Sequence, residues 1–205
     1  MNFETSLLEA AKTLKLDGID SKKIEALLTY AELVFKWNAV YNLTASKNES
    51  DLINRHIKDS LTVAPYICGE RIIDIGTGAG LPGIPLAILF PQKKFTLLDS
   101  NGKKTRFLTH AKIALNLKNV EVVQSRVENY QNTPYDCLLS RAFSSILQTL
   151  SLTAKLWNNN GLFIFMKGEN YLEELQNLPM KYKTQDVAID NSVSKGSHLI
   201  LVTQQ

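Results

Sequence analysis

Cysteine and histidine are scarce in this sequence, which has two cysteines and three histidines among 205 residues. Cys68 and Cys137 are far apart in the chain and suggest neither a disulfide framework nor a zinc site, as is usual in a reducing cytoplasm. His110 and His198 have no companions with metal-ligand spacing, so we expect no bound metal. This scarcity argues against metalloenzymes and disulfide-stabilised scaffolds.

Long apolar runs and a secretory leader are also missing. The longest apolar stretch, GIPLAILF, is far shorter than the roughly 20 residues that a membrane span needs. The first ten residues, MNFETSLLEA, have neither a basic start nor an apolar segment, so we expect no signal peptide. With 44% hydrophobic and 21% charged residues, the composition is typical of a globular protein. We therefore predict a cytoplasmic protein without a membrane partner.

A strong excess of one charge is absent, because the net charge is only +3. Residues 1–70 contain eight basic and ten acidic side chains, whereas residues 71–205 contain fifteen and ten. Most of the basic excess lies between residues 93 and 126. This segment is either a solvated helix face with turn lysines or a basic rim for a polyanion, and charge alone leaves both open.

The apolar periodicity changes near residue 70. Before it, helical spacing is evident in LLEAAKTLKL, KKIEALLTYAELVFKWNAVYNL and ESDLINRHIKDSLTVAPYI. After it, helical stretches alternate with six short strands, RIIDIG, KKFTLLD, VEVVQS, YDCLLSRA, GLFIFMKG and SHLILVTQ. Such alternation predicts parallel βαβ units in an open, doubly wound sheet. We therefore predict an α/β protein with a helical N-terminal extension (1–70) and a Rossmann-like sheet domain (71–205).

The stretch DIGTGAGLPG follows the first predicted strand and fits two glycine patterns. Gly78, Gly80 and Gly83 form G-x-G-x-x-G, the dinucleotide fingerprint, which is a weak signal when it stands alone. Asp74 and Gly76 begin a second pattern, acid-x-G-x-G-x-G, which is found in loops that close around an adenosyl group without a phosphate. The stretch therefore predicts an adenosine-type ligand and leaves its identity open.

Asp99 ends the second predicted strand, where a carboxylate can accept hydrogen bonds from both hydroxyls of a ribose. That contact suits NAD and S-adenosylmethionine alike, and the alternative is that Asp99 caps the next helix. Three features favour the methyl donor. Asp74 would crowd a pyrophosphate but suits the amino end of methionine, directly or through water. In addition, the chain has no room for a separate substrate domain and no evident acid pair for hydride transfer.

The third and fourth predicted strands end in further candidate residues. Val127 and Glu128 lie where adenine is usually bracketed, and a plain loop is the alternative. The stretch SRAF contains no Asn-Pro-Pro-aromatic or Asp-Pro-Pro-aromatic tetrad, and Cys137 lies mid-strand, where it more naturally packs. Guanine N7 carries a free lone pair and needs no general base, so positioning and electrostatics suffice. Arg141 would orient such a base through O6 or bind a phosphate, and Phe143 would stack on a base or pack in the core.

Two further groups of polar residues are candidates for substrate contact or for structure. Lys167 lies at the carboxyl end of the fifth predicted strand. Arg55, His56 and Asp59 lie on one predicted helix, and the spacing of His56 and Asp59 places them on one face. For that pair a structural hydrogen bond is the simpler interpretation.

Taken together, these motifs resemble the glucose-inhibited division protein B family of bacterial methyltransferases. The resemblance runs in order from about residue 30 to 168, through FKWNAVYNLTA, RHIKDSL, DIGTGAGLPGIPLAI, LLDSNGKKTRFL, QSRVE, SRAF and a KG pair. It implies a class I S-adenosylmethionine-dependent methyltransferase fold with a mostly parallel seven-stranded sheet. It also implies methylation of guanine N7 in the 530 loop of 16S ribosomal RNA, with donor contacts at Gly76, Leu81, Val127, Glu128 and Arg141.

We therefore predict methyl transfer from S-adenosyl-L-methionine, with S-adenosyl-L-homocysteine as product, to 16S rRNA or the small ribosomal subunit, by a monomeric enzyme. The predicted donor-binding residues are Asp74, Gly76, Gly78, Leu81, Asp99, Val127, Glu128 and Arg141, and Arg141 also positions the substrate. The predicted RNA contacts are Arg55, Lys103, Lys104, Arg106, Arg126 and Lys167. Alternatives are a small-molecule methyltransferase, an NAD-binding regulatory module and an RNA-binding protein without donor affinity.

Overall fold

The chain begins with helices, in agreement with the periodicity of its first 70 residues. The computed structural model describes residues 3–46, 48–168 and 171–205. The first helical elements are α1 (Phe3–Thr13), α2 (Ser21–Tyr41), α3 (Glu49–Asp51), a π-helical segment (Leu52–Ile57), α4 (Lys58–Thr62) and a 3-10 turn (Ala64–Tyr66). Among the residues described, no helix is both long enough and apolar enough to cross a membrane.

A seven-stranded sheet follows, in the order β3-β2-β1-β4-β5-β7-β6. The strands are β1 (Arg71–Ile75), β2 (Lys94–Asp99), β3 (Val120–Gln124), β4 (Tyr135–Arg141), β5 (Trp157–Lys167), β6 (Tyr182–Ala188) and β7 (His198–Gln204). The later helices are α5 (Gly83–Leu89), α6 (Gly102–Ala114), α7 (Ile146–Thr153) and α8 (Leu172–Gln176). β7 runs antiparallel to its two neighbours, β5 and β6, whereas the other four described strand pairs are parallel. The predicted mostly parallel α/β class is therefore confirmed.

The strand order reverses at β1, which pairs with β2 on one side and with β4 on the other. In an open α/β sheet, a crevice forms beyond the carboxyl ends of the strands at such a reversal. The glycine-rich loop after β1, Asp99 at the end of β2 and Arg141 at the end of β4 therefore meet at one edge of the sheet.

Two strands differ from the prediction, because β6 is not among the six predicted strands and β5 begins earlier than the predicted strand GLFIFMKG. β6 is an edge strand whose residues are mostly exposed, so it has no alternation of buried and exposed residues to detect. Trp157, which precedes the predicted strand GLFIFMKG by four residues, begins β5. Its ring stacks on Tyr182 at 5.9 Å and meets the edge of Phe163 at 5.7 Å, so tertiary packing overrides the local helical pattern.

The helical extension and the sheet share one apolar core. Leu27, Tyr30 and Leu61 from the extension belong to the same buried cluster as Ile72 of β1 and Leu139 of β4. The Tyr30 hydroxyl also donates a hydrogen bond to the carbonyl oxygen of Ala79, in the glycine-rich loop, at 2.7 Å. The extension therefore supports the loop directly, while a division into domains at residue 70 stays a prediction.

The two cysteines lie side by side despite their separation in the sequence. The Cys68 thiol donates to the Asp136 carbonyl oxygen at 3.6 Å, and its contact with the Cys137 thiol lowers the pKa of Cys68 to about 7. Both cysteines are free, and Cys137 is fully buried in β4 beside Ile72. Cys137 therefore packs in the core, as the sequence indicated, and does not reach the edge where the glycine-rich loop lies.

Candidate active site

The glycine-rich loop requires glycine for its backbone and for the space around it. Gly76, Gly78 and Gly80 have φ angles of +67°, +63° and +92°, in the left-handed region where other residues are strained. A Cβ atom at Gly76 would overlap the Phe143 ring. At Gly78 the nearest atom to such a Cβ would be Lys104 Nζ, 3.9 Å away, so this part of the loop faces open space.

Asp74 holds the glycine-rich loop from beneath. Its side chain is fully buried, and Oδ2 accepts hydrogen bonds from Thr77 Oγ1 at 2.6 Å and from the Gly83 amide at 2.9 Å. The other oxygen, Oδ1, is buried without a hydrogen-bond partner. Burial raises the pKa of Asp74 to about 6. A Cβ at Gly83 would overlap Leu97 and crowd Asp74, so Gly83 serves close packing between helix and strand.

Asp99 is bound to the backbone of the same loop. Its Oδ2 accepts a hydrogen bond from the Gly78 amide and its Oδ1 accepts one from the Asn101 amide, both at 2.9 Å. Lys104 Nζ lies 3.8 Å from Oδ2. Asn101, not Asp99, caps α6 by accepting from the Lys103 amide, so the alternative interpretation of Asp99 as a helix cap is wrong. Each carboxylate oxygen retains a lone pair for a further donor.

These strand ends enclose a cavity of about 290 Å³. Its walls come from the loop after β1 and from the carboxyl ends of β2, β3 and β4, and they contain Ile75, Gly76, Leu98, Asp99, Ser100, Lys104, Ser125, Arg126, Val127, Glu128, Ala142 and Phe143. A larger cavity, of about 430 Å³, lies at the amino ends of β2 and β3, away from this loop. We take the smaller cavity as the candidate site because the predicted polar groups converge there.

The structure brings four of the eight predicted donor-binding residues to the cavity wall, namely Gly76, Asp99, Val127 and Glu128. Asp74 lies buried beneath the loop, and Gly78 lies beside the cavity, where its amide binds Asp99. Leu81 is 2% exposed and packs in the core, so only its backbone is available to a ligand.

Arg141 is held by a histidine from the helical extension. Its Nη1 donates a hydrogen bond to His56 Nδ1 at 3.1 Å. Burial and the Arg141 charge lower the pKa of His56 to about 4, so the imidazole is neutral at pH 7 and accepts this bond. His56 lies in the π-helical segment, a rare widening of a helix that is frequent at functional sites. The sequence indicated Asp59 as the partner of His56, but the Asp59 carboxylate accepts from Ser194.

The two residues that follow Arg141, Ala142 and Phe143, form part of the cavity wall. Ala142 has a φ of +51°, which is uncommon for a residue with a side chain and re-aims the chain at the end of β4. Phe143 is 37% exposed and lies against Gly76. The prediction that Phe143 packs in the core is therefore wrong. Its ring is available at the mouth of the cavity, as the alternative prediction of base stacking requires.

The predicted RNA contacts do not form one uniform group. Arg55, Lys103, Arg106 and Arg126 are exposed, and Lys104 and Arg126 border the cavity. Lys167 differs, because its ammonium forms an ion pair with Glu174 at 2.8 Å and also donates to the Ser144 carbonyl oxygen. This internal pairing neutralises Lys167 and weakens the prediction that it contacts a polyanion.

Acidification is expected to destabilise the protein through His56. The pKa of His56 is about 4 in the folded protein, against 6.5 in an unfolded chain. Between these values the unfolded chain takes up a proton that the folded protein refuses, so stability falls as the pH falls from 6.5 to 4. We expect a loss of about 2 kcal/mol, after discounting for solvent screening. In His56→Asn, which does not titrate but keeps an acceptor near the Nδ1 position, this loss disappears.

Urea unfolding of the parent and of His56→Asn between pH 4.5 and 7 measures this effect. Burial raises the pKa of Asp74 and Asp59, which stabilises the protein on acidification and opposes His56. Because both proteins contain these two carboxyl groups, their effect cancels in the difference between the curves. Parallel curves would show that His56 is protonated as easily in the folded protein as in the unfolded chain.

Comparison with known proteins agrees with the family resemblance that the motifs indicate. The chain matches the GidB family, described as rRNA small subunit methyltransferase G, over residues 23–200. It is 46% identical over 177 residues to the ribosomal RNA small subunit methyltransferase G of Pseudomonas syringae pv. tomato, covering 86% of this chain and 83% of that protein. It is 47% identical over 181 residues to the protein of the same name from Saccharophagus degradans, covering 88% and 81%.

Solved structures share the fold at low sequence identity. A SAM dependent methyltransferase from Aquifex aeolicus superposes with a TM-score of 0.57 at 19% identity, covering 78% of this chain and 96% of that chain. A putative rRNA-methylase from Clostridium thermocellum superposes with a TM-score of 0.54 at 18% identity, covering 72% and 93%. These likenesses confirm the predicted fold class of class I methyltransferases.

Proposed function

The chain belongs to the GidB family, the rRNA small subunit methyltransferases G, and from this we propose that it methylates N7 of a guanine in the 530 loop of 16S ribosomal RNA. The methyl donor is S-adenosyl-L-methionine. The observation that carries the proposal is the cavity at the strand reversal, where the glycine-rich loop meets the Asp99 carboxylate and is held from beneath by the buried Asp74 carboxylate.

The residues at the cavity fit such a donor. Gly78 leaves the backbone open to close approach, because the nearest atom to a Cβ there would be 3.9 Å away, whereas a Cβ at Gly76 would overlap the Phe143 ring. Asp99 has lone pairs for the two ribose hydroxyls. Val127 and Glu128, which line the same cavity, would flank adenine. The unpartnered Oδ1 of Asp74 suits the ammonium group of the methionine moiety. A pyrophosphate would meet this carboxylate unfavourably, which argues against NAD.

The substrate side of the proposal rests on Arg141. When bound, the donor supplies an electrophilic methyl carbon to the N7 lone pair and leaves as S-adenosyl-L-homocysteine. N7 carries no proton, so the protein needs no general base and contributes orientation and electrostatics. Arg141 presents a fixed guanidinium at the end of β4, held through His56, and would contact guanine O6 or a neighbouring phosphate. Phe143 offers a ring on which the base would stack.

The RNA itself would bind to the basic residues around the cavity. Arg55, Lys103, Lys104, Arg106 and Arg126 are the proposed contacts, and Lys167 is left out because of its internal ion pair. Nothing in the proposal requires more than one copy of the chain. Phosphate contacts release counterions, so the affinity for RNA should fall steeply with salt. An affinity that does not change with salt would contradict this basic rim.

Methyl mapping of 16S rRNA tests the proposal most directly. We expect rRNA from a deletion strain to lack one methyl group on a guanine of the 530 loop, as measured by mass spectrometry of nuclease fragments. The purified protein should restore that mass with S-adenosyl-L-methionine, on naked rRNA or on small subunits. Complete methylation of rRNA from the deletion strain, or turnover on a free metabolite without RNA, would overturn the proposal.

A further inference from the structure

We propose that the C-terminal turns of α2 and the exposed side of α6 form a second RNA-binding surface, on which a base next to the target guanine stacks. This inference rests on the proposed rRNA substrate, and it names a contact outside the cavity that would hold that RNA. We call the aromatic part of this surface the Trp37 platform, which consists of Trp37, Tyr41 and His110.

The Trp37 platform is a continuous group of rings at the surface. The ring centroid of Trp37 lies 5.3 Å from that of Tyr41 and 5.2 Å from that of His110, with interplanar angles of 32° and 36°. Beneath it, Trp37 packs on the fully buried ring of Phe107 at 5.6 Å. Tyr41 is 40% exposed and His110 is also exposed. The platform is therefore anchored from below and open above, as a stacking surface requires.

Exposed apolar side chains border the platform. Val40 follows Trp37 by three residues on α2 and Ile113 follows His110 by three on α6, so helical spacing places each beside a ring of the platform. Val40 is 72% exposed and Ile113 is 73% exposed. Contiguous apolar surface that a folded chain leaves uncovered commonly marks an interaction site. A nucleobase has two flat apolar faces and a charged backbone, so it can cover such a patch when positive charge lies nearby.

Two cationic side chains, Lys103 and Arg106, lie on the face of α6 that leads from the cavity to the His110 ring of the platform. Lys103, Arg106 and His110 are spaced three and four residues apart on α6, so they lie on one face of that helix, and all three are exposed. In the same first turn, Lys104 lies 3.8 Å from the Asp99 carboxylate at the cavity. At about 1.5 Å of rise per residue, the stripe from Lys103 to His110 is about 10 Å long. An RNA backbone that follows it would run from the cavity to the platform.

The two helical segments that form this surface, the last nine residues of α2 and the whole of α6, contain no acidic residue. The sequence of α6, GKKTRFLTHAKIA, contains no aspartate or glutamate. The last nine residues of α2, LVFKWNAVY, contain none either, and the nearest, Glu32, is an exposed ion-pair partner of Lys36. A combination of stacked rings, cations and no carboxylates complements a single-stranded nucleic acid in charge and in shape. It complements an uncharged protein surface less well, since the cations would lose hydration without a partner.

Two aromatic residues on α2 provide a matched test. Tyr41 belongs to the platform, whereas Phe35, 44% exposed, lies on the opposite side of α2 from Trp37. We expect Tyr41→Ala to weaken binding of a 16S rRNA fragment containing the 530 loop about tenfold in fluorescence anisotropy. Phe35→Ala should change the Kd less than twofold, and Tyr41→Trp should restore binding. Thermal unfolding and the affinity for S-adenosyl-L-homocysteine without RNA verify that each variant is folded.

A separate measurement tests the two cations of α6, Lys103 and Arg106. The double variant Lys103→Ala, Arg106→Ala should reduce the slope of log Kd against log salt concentration by about 1.4, which is two lost contacts with single-stranded phosphates. Tyr41→Ala should leave that slope as it is in the parent, because stacking releases no counterions. An unchanged slope in the double variant would overturn the proposed path of the backbone.

The outcomes separate this inference from the proposed function. Equal Kd values for Tyr41→Ala and Phe35→Ala, with rRNA methylation by the parent intact, would overturn the platform alone. Tenfold weaker RNA binding by Tyr41→Ala, without methylation by the parent, would support the platform and overturn the proposed function. A parent that does not bind the fragment would overturn both. A dimer that Tyr41→Ala dissociates, seen by sedimentation, would assign the surface to a second copy and overturn the RNA contact.

Discussion

Replacing Asp99 with alanine is expected to abolish measurable binding of S-adenosyl-L-methionine, a loss of at least about 100-fold in affinity. Two hydrogen bonds from the ribose hydroxyls to a carboxylate contribute about 1.5–3 kcal/mol each, and about 2.8 kcal/mol corresponds to 100-fold. The substitution also releases the Gly78 amide, which Asp99 Oδ2 binds at 2.9 Å, so the loop keeps only its backbone bonds from Gly76 and Thr77 to Leu98 of β2. Both effects act in the same direction.

Isothermal titration calorimetry with S-adenosyl-L-homocysteine measures this affinity, and Asn101→Ala provides the matched control. The side chain of Asn101 accepts a hydrogen bond from the Lys103 backbone amide and so caps α6. The backbone amide of Asn101, which alanine retains, donates to Asp99. Replacement of Asn101 should cost about 1 kcal/mol of stability, as loss of a helix cap does, and change donor affinity only a few-fold. Undiminished binding by a folded Asp99→Ala would refute the assignment of this carboxylate to the ribose.

Replacing Arg141 with alanine is expected to lower turnover on RNA by about 100- to 1000-fold while the donor affinity changes about threefold or less. Removing one preorganised electrostatic group from a reaction centre commonly has an effect of this size. In this protein the guanidinium is preorganised by its hydrogen bond to His56, and the two residues that follow Arg141 in the chain, Ala142 and Phe143, line the cavity. The variant would leave the substrate guanine without its positioning contact.

Arg55→Ala is the control for this experiment. Arg55 lies next to His56 in the π-helical segment but is exposed, so its loss should weaken RNA binding and reduce the salt dependence by one phosphate contact. Single-turnover rates at saturating RNA separate turnover from binding. If Arg141→Ala reduced donor affinity and left the rate with saturating donor unchanged, Arg141 would be a donor-binding residue and not a positioner of guanine.

Much of the site was predictable from the sequence because it lies where strands end. In a parallel sheet the carboxyl ends of neighbouring strands meet, so residues such as Gly76, Asp99 and Val127 can be placed together once the strands are recognised. The glycine pattern carried its own information, since three positive φ angles in one loop need residues without a side chain. Gly83 serves close packing between helix and strand, which is also the role of the third glycine in the dinucleotide fingerprint, so this residue fits both glycine patterns.

Other features of the site and the fold could not be predicted from local sequence patterns. His56 and Arg141 are 85 residues apart, and neither hydrophobic period nor motif spacing indicates that they share a hydrogen bond. Lys167 looked like a free cation because its partner, Glu174, lies beyond the end of the strand. The edge strand β6 has no buried face to produce an alternation, and the contact of Cys68 with Cys137 depends on how the chain enters β1.

The sequence by itself determined the α/β class, the glycine-rich loop, the strand-end carboxylate and the resemblance to a methyltransferase family. These features are local, because periodicity, backbone freedom and residue order are properties of short stretches of chain. Only the tertiary structure decided which charges are free, which are paired inside and which rings gather at the surface. Burial and partnership depend on segments far apart in the chain, such as α2 beside α6 or the helical extension beneath Arg141. The physical reason is that the interaction of a side chain with water or with an ion is set by its neighbours in space.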